Sequence, residues 1–202
     1  MTIRVLLAED QAMMRGALAM LLGLEDDIEV VAEVGDGDAI LDAARRTRPD
    51  VAILDIEMPG ASGLDAAAAL RAELPACKVV IVTTFGRPGY LRRAMEAGAG
   101  GFLVKDAPVD ELAAAIRRVL DGEQVIDPAL AAAALRAGPN PLTDRERDVL
   151  RAAADGATIA DVATRLHLSP STVRNHLSSA IGKTAARNRI EALNTARDQG
   201  WL

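Results

Sequence analysis

The sequence predicts a doubly wound α/β domain followed by a small all-α domain. Within residues 1–120, five short apolar runs alternate with five segments of helical periodicity. Strands that alternate with helices imply right-handed crossovers, and therefore a mostly parallel sheet with helices on both faces. After residue 141 the pattern changes to short helices with explicit start signals and no strand candidates.

The strands and helices of the first domain follow one another in regular order. Asp38 is placed to cap the second helix, and Pro49 interrupts the chain before the third strand. The strand candidates are 3–8, 30–32, 51–54, 79–82 and 101–104, and the helix candidates are 14–22, 38–44, 64–74, 88–98 and 112–120.

A change of composition marks the domain boundary. Residues 121–141 contain Gly122, Pro128, a run of Ala and the sequence Gly-Pro-Asn-Pro, which is typical of a linker around one short helix. We therefore predict a first domain over 1–120, a linker over 121–141 and a second domain over 142–202.

Charge and cysteine content restrict the partners and the compartment. The net charge is −6, but residues 142–202 carry nine Lys or Arg against seven Asp or Glu, so a polyanion would meet the C-terminal domain. Cys77 is the single cysteine, which excludes an intrachain disulfide and favours a reducing compartment. No apolar run approaches membrane length, and we expect a cytoplasmic protein without membrane insertion.

Polar residues follow the predicted strands at the point where each strand ends. Glu9 and Asp10 follow the first strand, Asp55 the third, Thr83 the fourth and Lys105 the fifth. The carboxyl ends of parallel strands share one edge of the sheet, where ligands bind. Three converging carboxylates favour a Mg²⁺ site, because this ion prefers hard oxygen ligands. We predict that Asp55 is a carboxylate nucleophile that accepts a phosphoryl group, with Lys105 and Thr83 contacting that group.

Two alternatives differ from this interpretation in class. A Mg²⁺-dependent phosphatase could use Asp55 as nucleophile on small substrates, but it needs a general acid and a substrate pocket, for which the sequence has no convincing candidate. A DNA-binding protein controlled by a ligand or partner would leave the acidic site vestigial. The intact acidic cluster favours a phosphorylated regulator that is not an enzyme.

The third helix of the second domain has two distinct faces. Read as a helix, residues 169–183 place Val173, Leu177, Ala180 and Ile181 on one side, and Ser171, Arg174, Asn175 and Ser178 on another. A core-packed helix with such a polar stripe, after a tight turn at His167 and Leu168, has the geometry of a helix-turn-helix recognition helix. The same stripe is also compatible with an ordinary solvated face.

Residues 1–120 resemble the receiver domain of two-component response regulators, which has a flavodoxin-like fold. The match rests on Glu9-Asp10, Asp55 with Met58-Pro59-Gly60, Thr83, Phe102 and Lys105. The resemblance implies that Asp55 takes phosphate from a sensor histidine kinase and that Mg²⁺ is bound by Glu9, Asp10, Asp55 and the backbone carbonyl of Glu57. It also implies a switch role for Phe102, although this residue could equally be a plain core aromatic.

Residues 142–201 resemble the LuxR-type DNA-binding domain. The matching sequences are Leu142-Thr143-x-Arg145-Glu146, Ser169-x-x-Thr172-Val173-Arg174-x-His176 and Arg187-Asn188-Arg189. The resemblance implies base contacts from Arg174, Asn175 and Ser178, and phosphate contacts from Lys183, Arg187 and Arg189. Thr184-Ala185 stands where the family often has Leu-Gly, so a left-handed Ala185 would cost roughly 1–2 kcal/mol.

A receiver followed by a LuxR-type domain is similar to the NarL/FixJ response regulators, and residues 83–90, 102–106 and 200–202 are most like the DesR-like branch. The resemblance implies a transcription factor that dimerises on phosphorylation of Asp55 and binds promoter DNA, with RNA polymerase as a further candidate partner. The receivers would pair through the first and fifth helices or the fourth and fifth. For the first pair, Met14, Leu18 and Leu112 are candidate contacts if they do not lie fully in the core.

Overall fold

The computed structural model describes residues 2–84, 88–106, 108–137 and 140–202. The chain divides into two compact units: an α/β unit, residues 1–86 and 91–132, and a helical unit, residues 87–90 and 133–202. The division at residue 132 falls inside the predicted linker. Parts of the predicted 83–90 and 138–141 sequences lie outside the described residues.

One parallel sheet forms the centre of the α/β unit, in the strand order β2-β1-β3-β4-β5-β6. The order reverses between β1 and β3, and in such sheets the ligand crevice lies at the carboxyl ends of the strands beside the reversal. The strands are β1 Ile3–Ala8, β2 Ile28–Val34, β3 Val51–Leu54, β4 Lys78–Thr83, β5 Gly101–Val104 and β6 Val125–Ile126.

The sixth strand corrects the prediction of a five-stranded sheet. Val125 and Ile126 pair with Gly101 and Phe102, and the side chain of Val125 is buried in the core. A strand of two residues is too short to appear as an apolar run. It also lies in a segment with the composition of a linker, where no strand is expected. The short helix predicted in that segment is present as α6, Pro128–Ala137.

The helices of the α/β unit follow their strands as predicted, with one difference at the second helix. Asp36, not Asp38, caps the short 3-10 helix Gly37–Ala39, because its carboxylate accepts a hydrogen bond from the Asp38 amide. The Asp38 carboxylate accepts instead from the Ala61 amide, 3.0 Å away. The helices are α1 Ala12–Leu22, α2 Ile40–Thr47, α3 Gly63–Glu73, α4 Pro88–Glu96 and α5 Val109–Leu120.

Four helices with strong N-terminal caps build the core of the helical unit. Thr143 and Thr158 each form a capping box, and Ser169 and Asn188 cap the last two helices. Capping side chains satisfy backbone amides that have no partner within the helix. The helices are α7 Asp144–Ala152, α8 Ile159–Leu166, α9 Pro170–Lys183 and α10 Arg189–Asp198. No helix in the described part of the chain is long and apolar enough to cross a membrane.

The turn after α9 contains a backbone strain that the sequence predicted. Ala185 has φ +53°, in the left-handed region. Because glycine adopts this region without the steric penalty, we expect Ala185→Gly to raise the free energy of unfolding of the helical unit by about 1 kcal/mol. Urea unfolding followed by circular dichroism measures this change.

Ala160→Gly is the matched control for Ala185→Gly. Ala160 is exposed in the first turn of α8. The same substitution there adds backbone freedom to the unfolded chain without relieving strain, so it should destabilise the helical unit by roughly 0.5–1 kcal/mol. Equal destabilisation by both variants would show that Ala185 is not strained.

Candidate functional sites

The first candidate site lies at the carboxyl edge of the sheet, where β1, β3, β4 and β5 end. Ala8 is in register with Leu54, and Thr83 with Val104. Glu9, Asp55 and Lys105 directly follow β1, β3 and β5, and Asp10 comes one residue after Glu9. Thr83 is the last residue of β4. Because neighbouring parallel strands end level with one another, the side chains of Glu9, Asp55 and Lys105 meet.

Lys105 is the centre of this acid–lysine cluster. Its Nζ lies 2.5 Å from Oε2 of Glu9 and 2.8 Å from Oδ2 of Asp55, and the three side chains are between 2 and 7% exposed. Burial alone would lower the pKa of Lys105, but the hydrogen bonds to Asp55 and Glu9 outweigh burial and raise it. Lys105 therefore stays protonated beside two carboxylates.

Three carboxylates at this edge fit a hard cation. Ligand atoms of Glu9, Asp10 and Asp55 lie within 4.8 Å of one another, and the Asp10 side chain is the exposed member. Oxygen donors of this kind, with one side open to water, suit Mg²⁺, which retains several waters. Glu57, whose carbonyl the sequence assigned to the ion, lies in the exposed loop two residues after Asp55.

The loop after Asp55 depends on a glycine whose close approach to the Asp55 carbonyl the sequence did not predict. A Cβ on Gly63 would lie 1.9 Å from the Asp55 carbonyl oxygen, so no other residue fits there without movement of the backbone. The Gly63 amide also donates to the Ile56 carbonyl at 3.1 Å. The Asp55 carboxylate is held by the same loop, because Oδ1 accepts from the Ile56 amide at 2.7 Å. The one signal for this role was the position of Gly63 at the start of a helix.

Thr83 and Phe102 lie on β4 and β5, two of the strands that end at the acid–lysine cluster. Thr83 ends β4 and is 1% exposed, and its carbonyl accepts from the Lys105 amide at 2.9 Å. Phe102 pairs with Ile81 on the neighbouring strand and is fully buried. Burial of Phe102 agrees both with a core aromatic and with one position of a switch residue.

The second candidate site is the exposed face of α9. Val173, Leu177 and Ala180 are buried, whereas Arg174, Asn175 and Ser178 are exposed. This is the division of faces that the sequence periodicity predicted. The turn before α9 passes through His167, which has φ +53°, and the hydroxyl of Ser169 then accepts from the Thr172 amide to begin the helix.

The basic side chains near the end of α9 differ in how accessible they are to DNA. The Arg187 side chain is 87% exposed, with an ion pair of 3.0 Å to Glu191. Arg189 donates to the Ala157 carbonyl at 2.9 Å, and Lys183 contacts Glu146 at 2.8 Å. Arg187 is therefore the most accessible of these three cations.

A third surface, the α1 face, consists of exposed apolar side chains on α1 and the turn after it. Met13 is 89% exposed, Met20 72% and Leu24 75%. Beside them, α1 and α5 line a pocket of about 110 Å³, to which Met14, Leu18 and Leu112 contribute. Exposed apolar side chains that group in this way indicate an interaction surface.

A parallel sheet with an acid–lysine cluster at its carboxyl edge, joined to a helix-turn-helix unit, defines a class of two-domain regulator. A model of the response regulator receiver domain matches residues 5–117, and a model of the luxR family of bacterial regulatory proteins matches residues 140–196. The chain belongs to the two-component response regulators of the NarL/FixJ family.

Individual relatives agree with this assignment. The chain is 46% identical over 200 residues to the transcriptional regulatory protein DesR of Bacillus subtilis, covering 99% of both chains. It is similar to the response regulator ChrA of a heme-sensing two-component system, with a TM-score of 0.59, 34% identity and coverage of 100% and 99%. The RcsB–DNA complex, with a TM-score of 0.71, 21% identity and coverage of 98% and 99%, shares the fold. The luxR-family match and the relationship to DesR show that the chain is a DNA-binding transcriptional regulator and not an enzyme.

Proposed function

We propose that phosphorylation of Asp55 by a sensor histidine kinase switches this regulator in the cytoplasm, promoting dimerisation and promoter binding. The observation that carries the proposal is the Asp55 carboxylate, held by Lys105 Nζ at 2.8 Å with Glu9 and Asp10 alongside. A buried carboxylate beside a permanent cation and further oxygen ligands has the groups that phosphoryl transfer requires.

In this proposal Asp55 attacks the phosphorus of a phosphohistidine. A bond forms between an Asp55 carboxylate oxygen and phosphorus while the phosphorus–nitrogen bond breaks, and the imidazole leaves with that electron pair. Glu9, Asp10, Asp55 and the Glu57 carbonyl would hold Mg²⁺, which supplies positive charge beside the transferred oxygens. Lys105 supplies a second positive charge from the side of β5.

Phosphorylation changes what Lys105 contacts. Its ammonium is now shared between Glu9 and Asp55, and a phosphoryl group on Asp55 would add oxygens within its reach. The Thr83 hydroxyl can also donate to such a group from the end of β4. We propose that these new contacts draw Thr83, at the end of β4, toward Asp55 and alter the surroundings of Phe102. Residues 85–87, which follow in the same loop, lie outside the described residues.

The α1 face is the surface that we propose for pairing of phosphorylated receivers. Met13, Met20 and Leu24 are exposed there, and α5 borders the same pocket through Leu112. A symmetric dimer uses the same surface of both copies, and two helix-turn-helix units then match a pseudo-palindromic operator. This favours the first and fifth helices over the fourth and fifth, with RNA polymerase as the expected downstream partner at a promoter.

For DNA recognition we propose that α9 enters the major groove. Arg174 and Asn175 can each form two hydrogen bonds with a base edge, and Ser178 can form one. Arg187 is the best placed phosphate contact, since its side chain is almost fully exposed. For Arg189 a phosphate contact stays a prediction, whereas the Lys183 ammonium contacts the Glu146 carboxylate at 2.8 Å. The fold relative RcsB has been solved in complex with DNA.

Selection of bound DNA from a random double-stranded pool, with and without acetyl phosphate, tests the proposed function. We expect two related half-sites, separated by about one or two helical turns, to be enriched far more strongly by the phosphorylated protein. Failure to enrich any sequence in either condition would contradict sequence-specific binding. Equal enrichment in both conditions would contradict the phosphorylation switch.

A further inference from the structure

Glu146 is an acidic residue in the core of the helical unit. It lies in the first turn of α7 and is only 4% exposed. Burial alone would raise the pKa of its carboxyl, but hydrogen bonds from Lys183, Ser179 and Thr143 outweigh burial and lower its pKa to about 2. Glu146 is therefore ionised at neutral pH. A buried charge that is fully partnered in this way is costly to move.

Both carboxylate oxygens of Glu146 contact α9. The Ser179 hydroxyl donates to Oε1 at 2.6 Å, and the Lys183 ammonium donates to Oε2 at 2.8 Å. The Thr143 amide also donates to Oε2, at 2.7 Å, which ties the carboxylate to the start of α7. Ser179 and Lys183 are four residues apart and so lie on one side of α9.

The buried side chains of α9 are apolar. Val173, Leu177 and Ala180 pack into the core, and apolar packing has little directional preference. A rotation of α9 by roughly 30° would move an atom about 6 Å from the helix axis by about 3 Å, enough to break a hydrogen bond to a base. The directional contacts of Glu146 resist such a rotation.

We propose that Glu146 is a positioning residue for DNA recognition, which fixes the rotation of α9 through Ser179 and Lys183 and thereby aims Arg174, Asn175 and Ser178. The proposal rests on the proposed function, in which α9 reads the bases. It assigns Lys183 to Glu146 and not to a DNA phosphate. The affinity for non-specific DNA, which depends on backbone phosphates, should be nearly independent of Glu146.

The test compares Glu146→Gln with Leu193→Ala in the full-length phosphorylated protein. Leu193, on α10, is buried in the same core but makes none of these polar contacts, so its truncation destabilises the unit while the Glu146 contacts remain. Affinities for the selected operator and for a scrambled duplex are measured at a temperature where circular dichroism shows both variants folded. We expect Glu146→Gln to lower the ratio of the two affinities by at least tenfold, and Leu193→Ala to keep the wild-type ratio.

A double variant separates positioning from a direct phosphate contact. If Lys183 acts through Glu146, Lys183→Gln should reduce the affinity ratio like Glu146→Gln, and the double variant should be no worse than either. If Lys183 instead contacts a phosphate, Lys183→Gln would weaken both duplexes alike and make the salt dependence shallower by about one contact. That result, or an unchanged ratio for folded Glu146→Gln, would overturn the proposal. If the wild-type protein shows no sequence preference, the proposed function itself fails.

Discussion

Replacement of Asp55 by Asn should abolish phosphorylation of the protein by acetyl phosphate. Asparagine has nearly the same shape, but its amide is a far weaker nucleophile than a carboxylate and carries no charge for a cation. It also removes one of the two anions that Lys105 contacts. We expect complete loss of the phosphorylated band in phosphate-affinity electrophoresis, and loss of phosphate-dependent dimerisation in size-exclusion chromatography.

Asp42→Asn and Met20→Glu are the controls for the Asp55 variant. Asp42 is an exposed acid on α2, paired with Arg45, and its replacement should leave labelling unchanged. Met20→Glu places a charge on the proposed pairing surface, so it should keep labelling but prevent the phosphorylated dimer. Full labelling of Asp55→Asn would contradict the site, whereas a normal dimer of Met20→Glu would contradict only the pairing surface.

Replacement of Arg174 by Ala should reduce operator affinity and sequence preference together. Loss of a bidentate contact with a base costs about 1–3 kcal/mol, a factor of roughly 5 to 150 in the dissociation constant. Arg174 is exposed on α9, so its removal should leave the fold intact. Titration of labelled operator and of duplexes with single base changes measures both effects.

Arg187→Ala is the matched control for Arg174→Ala, because it also truncates an arginine, but one that is proposed to contact a phosphate. We expect it to weaken operator and scrambled DNA alike, and to reduce the slope of log affinity against log salt by about 0.9. Equal loss of sequence preference in both variants would contradict the division between base contacts and phosphate contacts.

Register explains why the candidate phosphoacceptor site could be predicted from the sequence. Asp55 and Lys105 are 50 residues apart, yet each directly follows a short apolar strand. In a parallel sheet the carboxyl ends of neighbouring strands lie at one edge, so strand position in the sequence translates into proximity in space. The contact of Lys105 with Glu9 as well as Asp55 required the structure, because side-chain reach is not encoded in register.

Side-chain competition explains the one cap prediction that changed, at the start of the second helix. Asp36 and Asp38 are both residue types that cap helices. The β3–α3 loop decides between them, because the Ala61 amide donates a hydrogen bond to the Asp38 carboxylate and leaves Asp36 as the cap. Arg189 also has a partner distant in sequence, because its guanidinium donates to the Ala157 carbonyl, and its phosphate contact stays a prediction. Neither partner is near in sequence.

The sequence by itself determined the alternation of strands and helices, the start signals of the helices in the second domain, and the strand-end placement of Asp55. These features depend on periodicity and on hydrogen bonds within a few residues, which are local properties of the chain. Only the tertiary structure decided that Glu146 forms hydrogen bonds with α9, to partners 33 and 37 residues away, and that Val125 belongs to a sixth strand of the sheet. The physical reason is that these contacts form only when packing brings distant segments together, and burial then makes a polar partner necessary.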